Sequence, residues 1–187
     1  AIPERYQQQA LNDSYFSELK SEYQYLAHKF GLQAMDANQW RFLRLRPQNF
    51  PHIRIAQLAH LYYEQRAGLS QLLECESVKQ VRELLATQVT RYWETHYVFG
   101  EESAKSEKKL SAGSLNLQII NTVAPILFAY GKHKNSEKYC ERAFDFLEAL
   151  KAEDNHIVRM WKEVGLMVET AGDSQALIQL KKEYCDR

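Results

Sequence analysis

The sequence predicts an all-α protein, organised as antiparallel helical hairpins or a bundle of about eight helices. Three observations indicate this class. Only seven glycines and four prolines occur in 187 residues, apolar residues recur at spacings of three and four, and alternating strand patterns are hard to find. A compact fold of this length buries roughly 70% of the surface of its unfolded chain, so we expect it to be stable without disulfides or metal.

Charge and cysteine content restrict the partners and the compartment. The 24 basic and 24 acidic side chains cancel, so only a local patch could attract nucleic acid or an anionic surface. Three cysteines, odd in number and far apart, argue against a disulfide framework and for a reducing compartment. Since the chain lacks a run of eighteen apolar residues and the features of a signal peptide, we expect a cytoplasmic protein without membrane contact.

The first predicted helix begins after the cap residue Asp13 and ends at Gly31, which can adopt the left-handed conformation that stops a helix. Its apolar residues follow helical spacing: Tyr15, Leu19, Tyr23, Leu26 and Phe30. A short helix is expected near residues 37–45.

Two prolines predict a rigid elbow at residues 46–50. Proline keeps the preceding residue out of the helical region, which here affects Arg46 and Phe50. Pro51 then opens the next helix at its first position, where the missing N–H costs nothing. This helix is expected to stop at Gly68 and to bury one face, formed by Ile55, Leu58 and Tyr62.

The middle of the chain holds a capping box followed by its one low-complexity segment. Ser77 and Gln80 have the S-x-x-Q spacing that caps a helix, which is predicted to continue to Trp93. Residues 101–113, rich in Glu, Lys and Ser, are expected to form an exposed charged loop. The sequence leaves open whether residues 1–187 form a single helical domain or two subdomains, 1–100 and 114–187, joined by this loop.

Four helix starts follow the loop. Ser114 is expected to cap a buried central helix that ends at Gly131, which is too short and too rich in amides to span a membrane. Pro125 lies inside this helix and should kink or break it. Further starts at Ser136, Asn155 and Asp173 give spacings of 22, 19 and 18 residues, which favours antiparallel hairpins with short loops.

The most distinctive segment is RFLRLRPQNFPHIR, residues 41–54, called here the arginine elbow. It carries Arg41, Arg44, Arg46 and Arg54, and no acidic residue occurs anywhere from Ala37 to Tyr63. Arginine forks beside flat side chains, here Trp40, Phe42 and Phe50, suit phosphate binding and base stacking. The alternative is structural: the rings form core, and the arginines lie over them and pair with acids such as Glu18, Glu22 or Glu64.

Other candidate sites are weaker. Glu94 and His96 in RYWETHYVFG could act as a general acid and base, although a histidine among aromatic rings is more often a hydrogen-bonded core residue. The histidines and cysteines show no local metal-ligand spacing, and neither a P-loop nor a G-x-G-x-x-G motif occurs. We therefore predict no catalytic residue, no metal site and no cofactor.

Several long segments resemble a known family: WRFLRLRPQNFPHIRIAQLA, YWETHYVFG, LNLQIINTVAPILFAYGKHK and DSQALIQLKKEYC. They are similar to the C-terminal half of a bacterial family of uncharacterised proteins, a domain of unknown function. Its motifs are R-L-R-P-x-N-F-P-x-x-R-I-A-Q-L-A and D-S-Q-A-L-I-Q-L-K-x-x-Y-C. The resemblance extends from about residue 21 to the C-terminus and implies a helical fold without an established activity.

The resemblance also implies that this chain is a fragment. Members of that family are longer at both ends, and their N-terminal half carries acidic and E-x-K motifs similar to those of restriction-endonuclease-like nucleases. Beyond the position of Cys185 they continue into a C-x-x-C pair, so Cys185 would supply one ligand of an incomplete zinc or iron–sulfur site. Any nuclease activity would belong to the other half.

Two main hypotheses follow. In the first, the chain is a non-catalytic helical module that contacts an anion or nucleic acid through the arginine elbow and assists a nuclease-like N-terminal domain. In the second, it is a structural or protein-interaction domain whose arginines are internal staples. An enzyme using Glu94 and His96 is a third. Exposed, unpaired arginines would favour the first, and arginines buried against carboxylates the second.

Overall fold

The fold is all-α, as the sequence predicts. The computed structural model describes residues 4–36, 39–42, 44–64 and 68–185. The α-helices run over α1 Glu4–Leu11, α2 Ser14–Phe30, α3 Pro51–Tyr63, α4 Leu69–Glu74, α5 Val78–Leu85, α6 Arg91–Glu94, α7 Ala112–Gln118, α8 Ala124–Lys134, α9 Glu137–Glu148, α10 His156–Glu163 and α11 Ala171–Leu180. A 3-10 turn, Pro47–Asn49, precedes α3, and π-helical turns occupy Ile119–Val123 and Lys181–Cys185.

A small antiparallel sheet joins β1, His96–Val98, to β2, Glu101–Glu102. His96 lies opposite Glu102 and Val98 opposite Glu101, with an irregular register between them. The second strand, β2, falls in the segment 101–113 that the sequence predicts as a loop. Three residues after the hairpin pack against the rest of the protein. Lys108 is 3% exposed, and Ser103 and Ser106 are half-buried. The charged segment 101–113 is therefore only partly exposed.

The chain divides into two compact units that alternate along the sequence. The first comprises Ala1–Gln65 and Thr87–Lys109, and the second Arg66–Ala86 and Leu110–Arg187. Residues 66–86, which hold α4 and α5, thus belong with the C-terminal helices although they interrupt the first unit.

The core of the first unit is largely aromatic. Ala10, Ile53, Trp93 and Phe99 are buried together, and a neighbouring cluster is formed by Phe42, Phe50 and Val98. Edge-to-face packing of Trp93 and Phe99, with ring centroids 5.0 Å apart, adds directional contacts to the burial of apolar area. These clusters connect the first turns of α2 and α3 to the 90–100 segment.

The core of the second unit is mainly aliphatic and lies where α8 packs on α9, with α5, α11 and the first π-helical turn. Its buried members are Cys75, Val78, Val81, Ile119, Ile120, Val123, Ala124, Leu127, Ala143, Phe146, Leu150 and Ala171. Gly131 allows the close approach of α8 and α9, since a Cβ atom there would lie 2.7 Å from the Cys140 Sγ.

The central helix is longer than predicted. Ser111, not Ser114, caps it, accepting from the Ser114 N–H at 3.1 Å, and the helical run continues through 134 to the left-handed Asn135. The π-helical turn ends at Val123, two residues before Pro125, and breaks the α-helical pattern there, which gives the interruption expected of this proline.

Among the described residues, one helical stretch could cross a membrane by its length and composition alone. It is Ala112–Lys134, which is 23 residues long. The prediction that it is too short was therefore wrong. Five of its residues, Ile119, Ile120, Val123, Ala124 and Leu127, lie in the core of the second unit, and the apolar composition of a core helix passes the same test of length and hydropathy.

Several helix starts and ends that the sequence predicts are found in the structure. Asp13 accepts from the Phe16 N–H at 2.9 Å and caps α2, which ends at the left-handed Gly31. Pro51 opens α3, and Ser77 with Gln80 forms a capping box on α5. Asn155 caps α10.

Four element predictions need correction. The helix from Ser77 ends at Leu85, and an extended segment separates it from α6. Thr170 caps the last helix and Asp173 is the third-position partner of its capping box. The short helix predicted near residues 37–45 is not found where the structure describes this segment, because residues 40–42 and 44–46 are non-helical. Positions 37, 38 and 43 lie outside the described residues.

The fourth correction concerns α3, which ends at Tyr63 and not at Gly68. Its buried residues are His52, Ile53 and Gln57, whereas Ile55, Leu58 and Tyr62 are 48%, 52% and 65% exposed. Both sets have helical spacing, so periodicity identifies the helix but does not select which face is buried. The face that packs is the one that meets the aromatic core, where the His52 ring lies 5.0 Å from both Phe42 and Phe99.

Candidate anion-binding site

The arginine elbow exposes three of its four arginines. Arg41, Arg44 and Arg46 are exposed to solvent, and Arg54 is half-buried. None of the ion pairs among the described residues involves any of the four. Pairing with Glu18 or Glu22, the structural alternative from the sequence, is therefore not seen, and the positive charge of the elbow remains uncompensated by these neighbours.

The backbone of the elbow has two notable features, a hydrogen-bonded 3-10 turn after Arg46 and a left-handed conformation at Arg44. The Asn49 N–H donates to the Arg46 carbonyl at 2.8 Å, and the Phe50 N–H to the Pro47 carbonyl at 3.0 Å, closing the 3-10 turn. Arg44 has a φ of 60°, a left-handed conformation that costs a non-glycine residue about 1–2 kcal/mol. Strained backbone of this kind persists where surrounding structure holds it, often at functional sites.

The aromatic residues of the elbow form its floor. Phe42 and Phe50 are 8% and 7% exposed, with ring centroids 5.5 Å apart in an edge-to-face arrangement. They anchor the loop and have no free face for a nucleotide base. Trp40 is half-buried, so it is the ring beside the elbow that retains accessible surface.

Arg54 is oriented by neutral groups. Its guanidinium donates to the Asn49 Oδ1 at 2.6 Å and to the Gln57 Oε1 at 3.0 Å. Because both acceptors are uncharged, they orient the guanidinium without cancelling its charge. Arg54 therefore braces the 3-10 turn against α3 and adds positive potential, whereas the three exposed arginines are free to contact a ligand.

A buried lysine that sequence reasoning missed lies in the same unit as the elbow. The buried Gln57 donates from Nε2 to the Lys108 carbonyl at 2.6 Å, which links α3 to the 101–109 segment. The Lys108 ammonium donates to the Glu94 carbonyl at 2.9 Å and the Ser106 hydroxyl at 2.7 Å and lies 4.0 Å from the centre of the Tyr97 ring. No described carboxylate forms an ion pair with it. A lysine in a Ser/Lys-rich segment gives no sequence signal for burial.

The side chains of Glu94 and His96 contact different partners. The Glu94 carboxylate pairs with the Lys105 ammonium at 3.0 Å, and the buried His96 uses Nδ1 toward the Thr95 hydroxyl and the Tyr92 carbonyl, both at 3.0 Å. Within the described residues no hydrogen bond joins the two side chains. Two open cavities of about 670 and 430 Å³ lie in the second unit, and neither is lined by Glu94 or His96.

Among the described residues no group of three or more His, Cys, Asp or Glu side chains is arranged to hold a metal ion. Cys75, Cys140 and Cys185 are free thiols. Cys185 is exposed in the last π-helical turn. Burial raises the pKa of the Cys75 thiol, which lowers its reactivity.

A second polar cluster, also missed by sequence reasoning, fixes the other side of the first unit. The Asp13 carboxylate accepts from the N–H groups of Phe16 at 2.9 Å and Gly100 at 2.8 Å and from the Tyr92 hydroxyl at 2.5 Å. Burial raises the pKa of Asp13, but these donors outweigh it and hold that pKa below its ordinary value. Burial and donation to Asp13 raise the pKa of Tyr92.

These observations define the class of protein: a predominantly helical fold with an exposed arginine elbow whose arginines form no ion pair with a described carboxylate. The chain belongs to the family described as Protein of unknown function (DUF2851), whose model matches residues 5–156. The match covers the arginine elbow and stops before DSQALIQLKKEYC, so the resemblance of that last segment stays a prediction. Comparison with curated proteins and with solved structures gives no match.

Proposed function

We propose that this chain is a non-catalytic helical module that binds the phosphate backbone of a nucleic acid through Arg41, Arg44 and Arg46. The observation that carries the proposal is the exposure of three arginines without ion-pair partners among the described residues. In a chain with no net charge, a local excess of this kind creates a positive potential that attracts anions to the elbow.

The short, braced backbone supports a binding role for these arginines. A guanidinium recognises phosphate through two parallel hydrogen bonds, and its affinity increases when the chain that carries it needs little ordering on binding. The 3-10 turn and the buried Phe42 and Phe50 supply that order at the elbow. Arg54 adds potential from its half-buried position.

The cellular role follows from the resemblance described above. As part of the same proposal, the module acts in the cytoplasm as an accessory to a nuclease-like N-terminal domain, holding nucleic acid while that domain supplies the chemistry. The three free thiols are compatible with a reducing compartment. We assign no catalytic residue to this chain.

A salt titration of binding tests the proposal. Labelled single- and double-stranded DNA and RNA would be titrated by fluorescence anisotropy over a range of salt concentrations. Release of counterions from three phosphates predicts a slope of log K against log salt of about −3 for duplex DNA. Since phosphate contacts carry little sequence information, we expect little dependence on base sequence.

Charge reversal provides the matched comparison. Arg44→Glu with Arg46→Glu should weaken binding at least tenfold and reduce the slope by about two. Arg159→Gln is the control, because that exposed arginine already pairs with Asp154 at 3.1 Å, and binding should be unchanged. Binding that survives the double reversal would refute the site.

A second candidate function is a protein-interaction module. It is favoured by the apolar side of α3, where Ile55, Leu58 and Tyr62 are 48%, 52% and 65% exposed, since apolar patches on a surface mark interaction sites. If no nucleic acid binds at low salt, this second function stands and the first is rejected.

A further inference from the structure

Helix α2 carries an apolar stripe that the described residues leave uncovered. None of the seventeen residues of Ser14–Phe30 is buried. The stripe consists of Leu19, Tyr23, Leu26 and Phe30, which are 41%, 46%, 40% and 62% exposed. The helix is held at its start, where the Tyr15 ring stacks 4.2 Å from Tyr92 and Phe16 packs 5.1 Å from Phe99.

The spacing of the stripe is that of a coiled-coil seam. With Phe16, its residues lie at intervals of three, four, three and four, which places them alternately at the a and d positions of two heptads. An isolated helix of this length is only marginally stable in water. An uncovered a/d seam on such a helix therefore indicates that a second helix packs against it.

We propose that the second helix is α2 of another copy of this chain, packed in antiparallel orientation about a two-fold axis. In this register Leu19 lies opposite Phe30 of the second copy, and Tyr23 lies opposite Leu26. Each layer then pairs a leucine with an aromatic ring. Because the symmetry repeats each pair, the stripe is self-complementary, as an interface between identical chains requires.

The charges that flank the stripe select the same orientation. Glu22 and Lys29 occupy equivalent g positions one heptad apart, and neither forms an ion pair within the described part of the chain. In the antiparallel register Glu22 meets Lys29 of the second copy, and the pair occurs twice. In a parallel dimer Glu22 would face Ala27, which offers no charge. Opposite charges at flanking positions set helix orientation in this way.

The interface is small. The two helices overlap over residues 19–30, a length of about 18 Å at 1.5 Å per residue. Such an overlap buries less than the roughly 800 Å² per partner of a standard complex, so we expect a reversible dimer with a dissociation constant above about 1 µM.

Sedimentation equilibrium of the 187-residue chain, from about 1 µM to about 1 mM, tests this proposal. We expect a monomer–dimer equilibrium that Leu26→Gln weakens about tenfold or more, since this change removes a leucine from the centre of the seam. The control is Leu180→Gln on α11, a leucine with a similar exposure of 43% that lies outside both the stripe and the apolar side of α3, and it should leave the equilibrium unchanged.

Charge exchange tests the orientation. Glu22→Lys alone and Lys29→Glu alone each place like charges opposite each other twice, and should weaken the dimer by about threefold to tenfold. The double variant carrying both changes restores the opposite charges and should recover wild-type association. Circular dichroism of each variant confirms that the helices remain folded.

Three results would overturn the proposal: a monomer at every concentration, a dimer that Leu26→Gln leaves intact, or a double variant no stronger than the single ones. None of these results changes the outcome of the salt titration at the arginine elbow, because Leu26 and the elbow arginines are substituted in separate variants.

Discussion

The Tyr92 hydroxyl donates to the Asp13 carboxylate at 2.5 Å and so joins residues that are 79 positions apart. The same carboxylate caps α2 and receives the Gly100 N–H. One acidic group therefore links the start of α2 to the hairpin that follows α6. Five predictions follow from this and from other features of the described residues.

Removal of the Tyr92 hydroxyl should destabilise the protein. Tyr92→Phe keeps the ring, which stacks 4.0 Å from His96. It removes the hydroxyl, which donates to Asp13 and also accepts from the Gly100 N–H at 3.1 Å. We expect the free energy of unfolding in urea to fall by about 1–3 kcal/mol, because the bond is made to a charged, partly buried acceptor. Tyr184→Phe at an exposed position (73%) is the control and should have no measurable effect.

Asp13 should make stability depend on pH at the acid end. Its pKa is lower in the folded state than its ordinary value of 3.8, so the folded state binds fewer protons than the unfolded state in this range. Its contribution is therefore complete above the unfolded pKa and is lost as the pH falls through the folded pKa. Asp13→Asn should lower stability at pH 7 and flatten the acid limb of the stability profile between about pH 5 and pH 2. An acid limb of unchanged slope would contradict this role.

Gly100 should be intolerant of any side chain. Its φ is 73°, and a Cβ atom there would lie 2.4 Å from the Gln9 carbonyl oxygen, which belongs to backbone that cannot easily move. We expect Gly100→Ala to cost about 2–4 kcal/mol in urea unfolding. Gly31 provides the comparison, since it has a similar φ of 62° but open space around it, and Gly31→Ala should cost only about 1 kcal/mol.

Substitutions at Arg44 should affect the stability of the protein and its binding to DNA in different ways. Arg44→Gly relieves a left-handed strain of about 1–2 kcal/mol while adding about 0.5–1 kcal/mol of backbone entropy to the unfolded chain. The variant should therefore be as stable as the wild type or up to about 1.5 kcal/mol more stable, yet bind DNA more weakly. Arg44→Gln should bind equally weakly without the gain in stability, as measured by urea unfolding and anisotropy on the same samples.

An arginine staple does exist, at a position that the sequence did not single out. Arg142 is buried, donates to the Leu73 carbonyl at 2.7 Å, lies near Glu76 at 3.8 Å and stacks over the Tyr139 ring. Arg142→Gln should cost about 2–3 kcal/mol, because it leaves a buried carbonyl without its donor. The exposed Arg159→Gln should cost less than about 0.5 kcal/mol; equal losses for the two variants would exclude the staple.

The sequence predicts well those features that depend only on a few neighbouring residues. Caps such as Asp13 and Ser77, the left-handed stop at Gly31 and the start at Pro51 depend on local geometry and appear as expected. The exposure of the elbow arginines could be suspected because no acid lies nearby in sequence. The fold class follows from the same periodicity.

Features that depend on distant residues could not be predicted. The face of α3 that is buried depends on Phe42 and Phe99, which are remote in sequence. Burial of Lys108 depends on Gln57 and on the Tyr97 ring. Local pattern carries no information about such partners, so it selected the exposed face of α3 and assigned Lys108 to solvent.

The alternation of the two units along the chain has a consequence for synthesis on the ribosome. The first unit lacks Thr87–Lys109 until those residues have emerged, and Arg66–Ala86 must wait for residues beyond 110 to find its core partners. Neither unit is complete when its first segment appears, and the amphipathic α5 is exposed throughout that interval. Nascent chains halted between about residues 66 and 110 should therefore engage chaperones that bind apolar segments, and release of the chain should end that engagement.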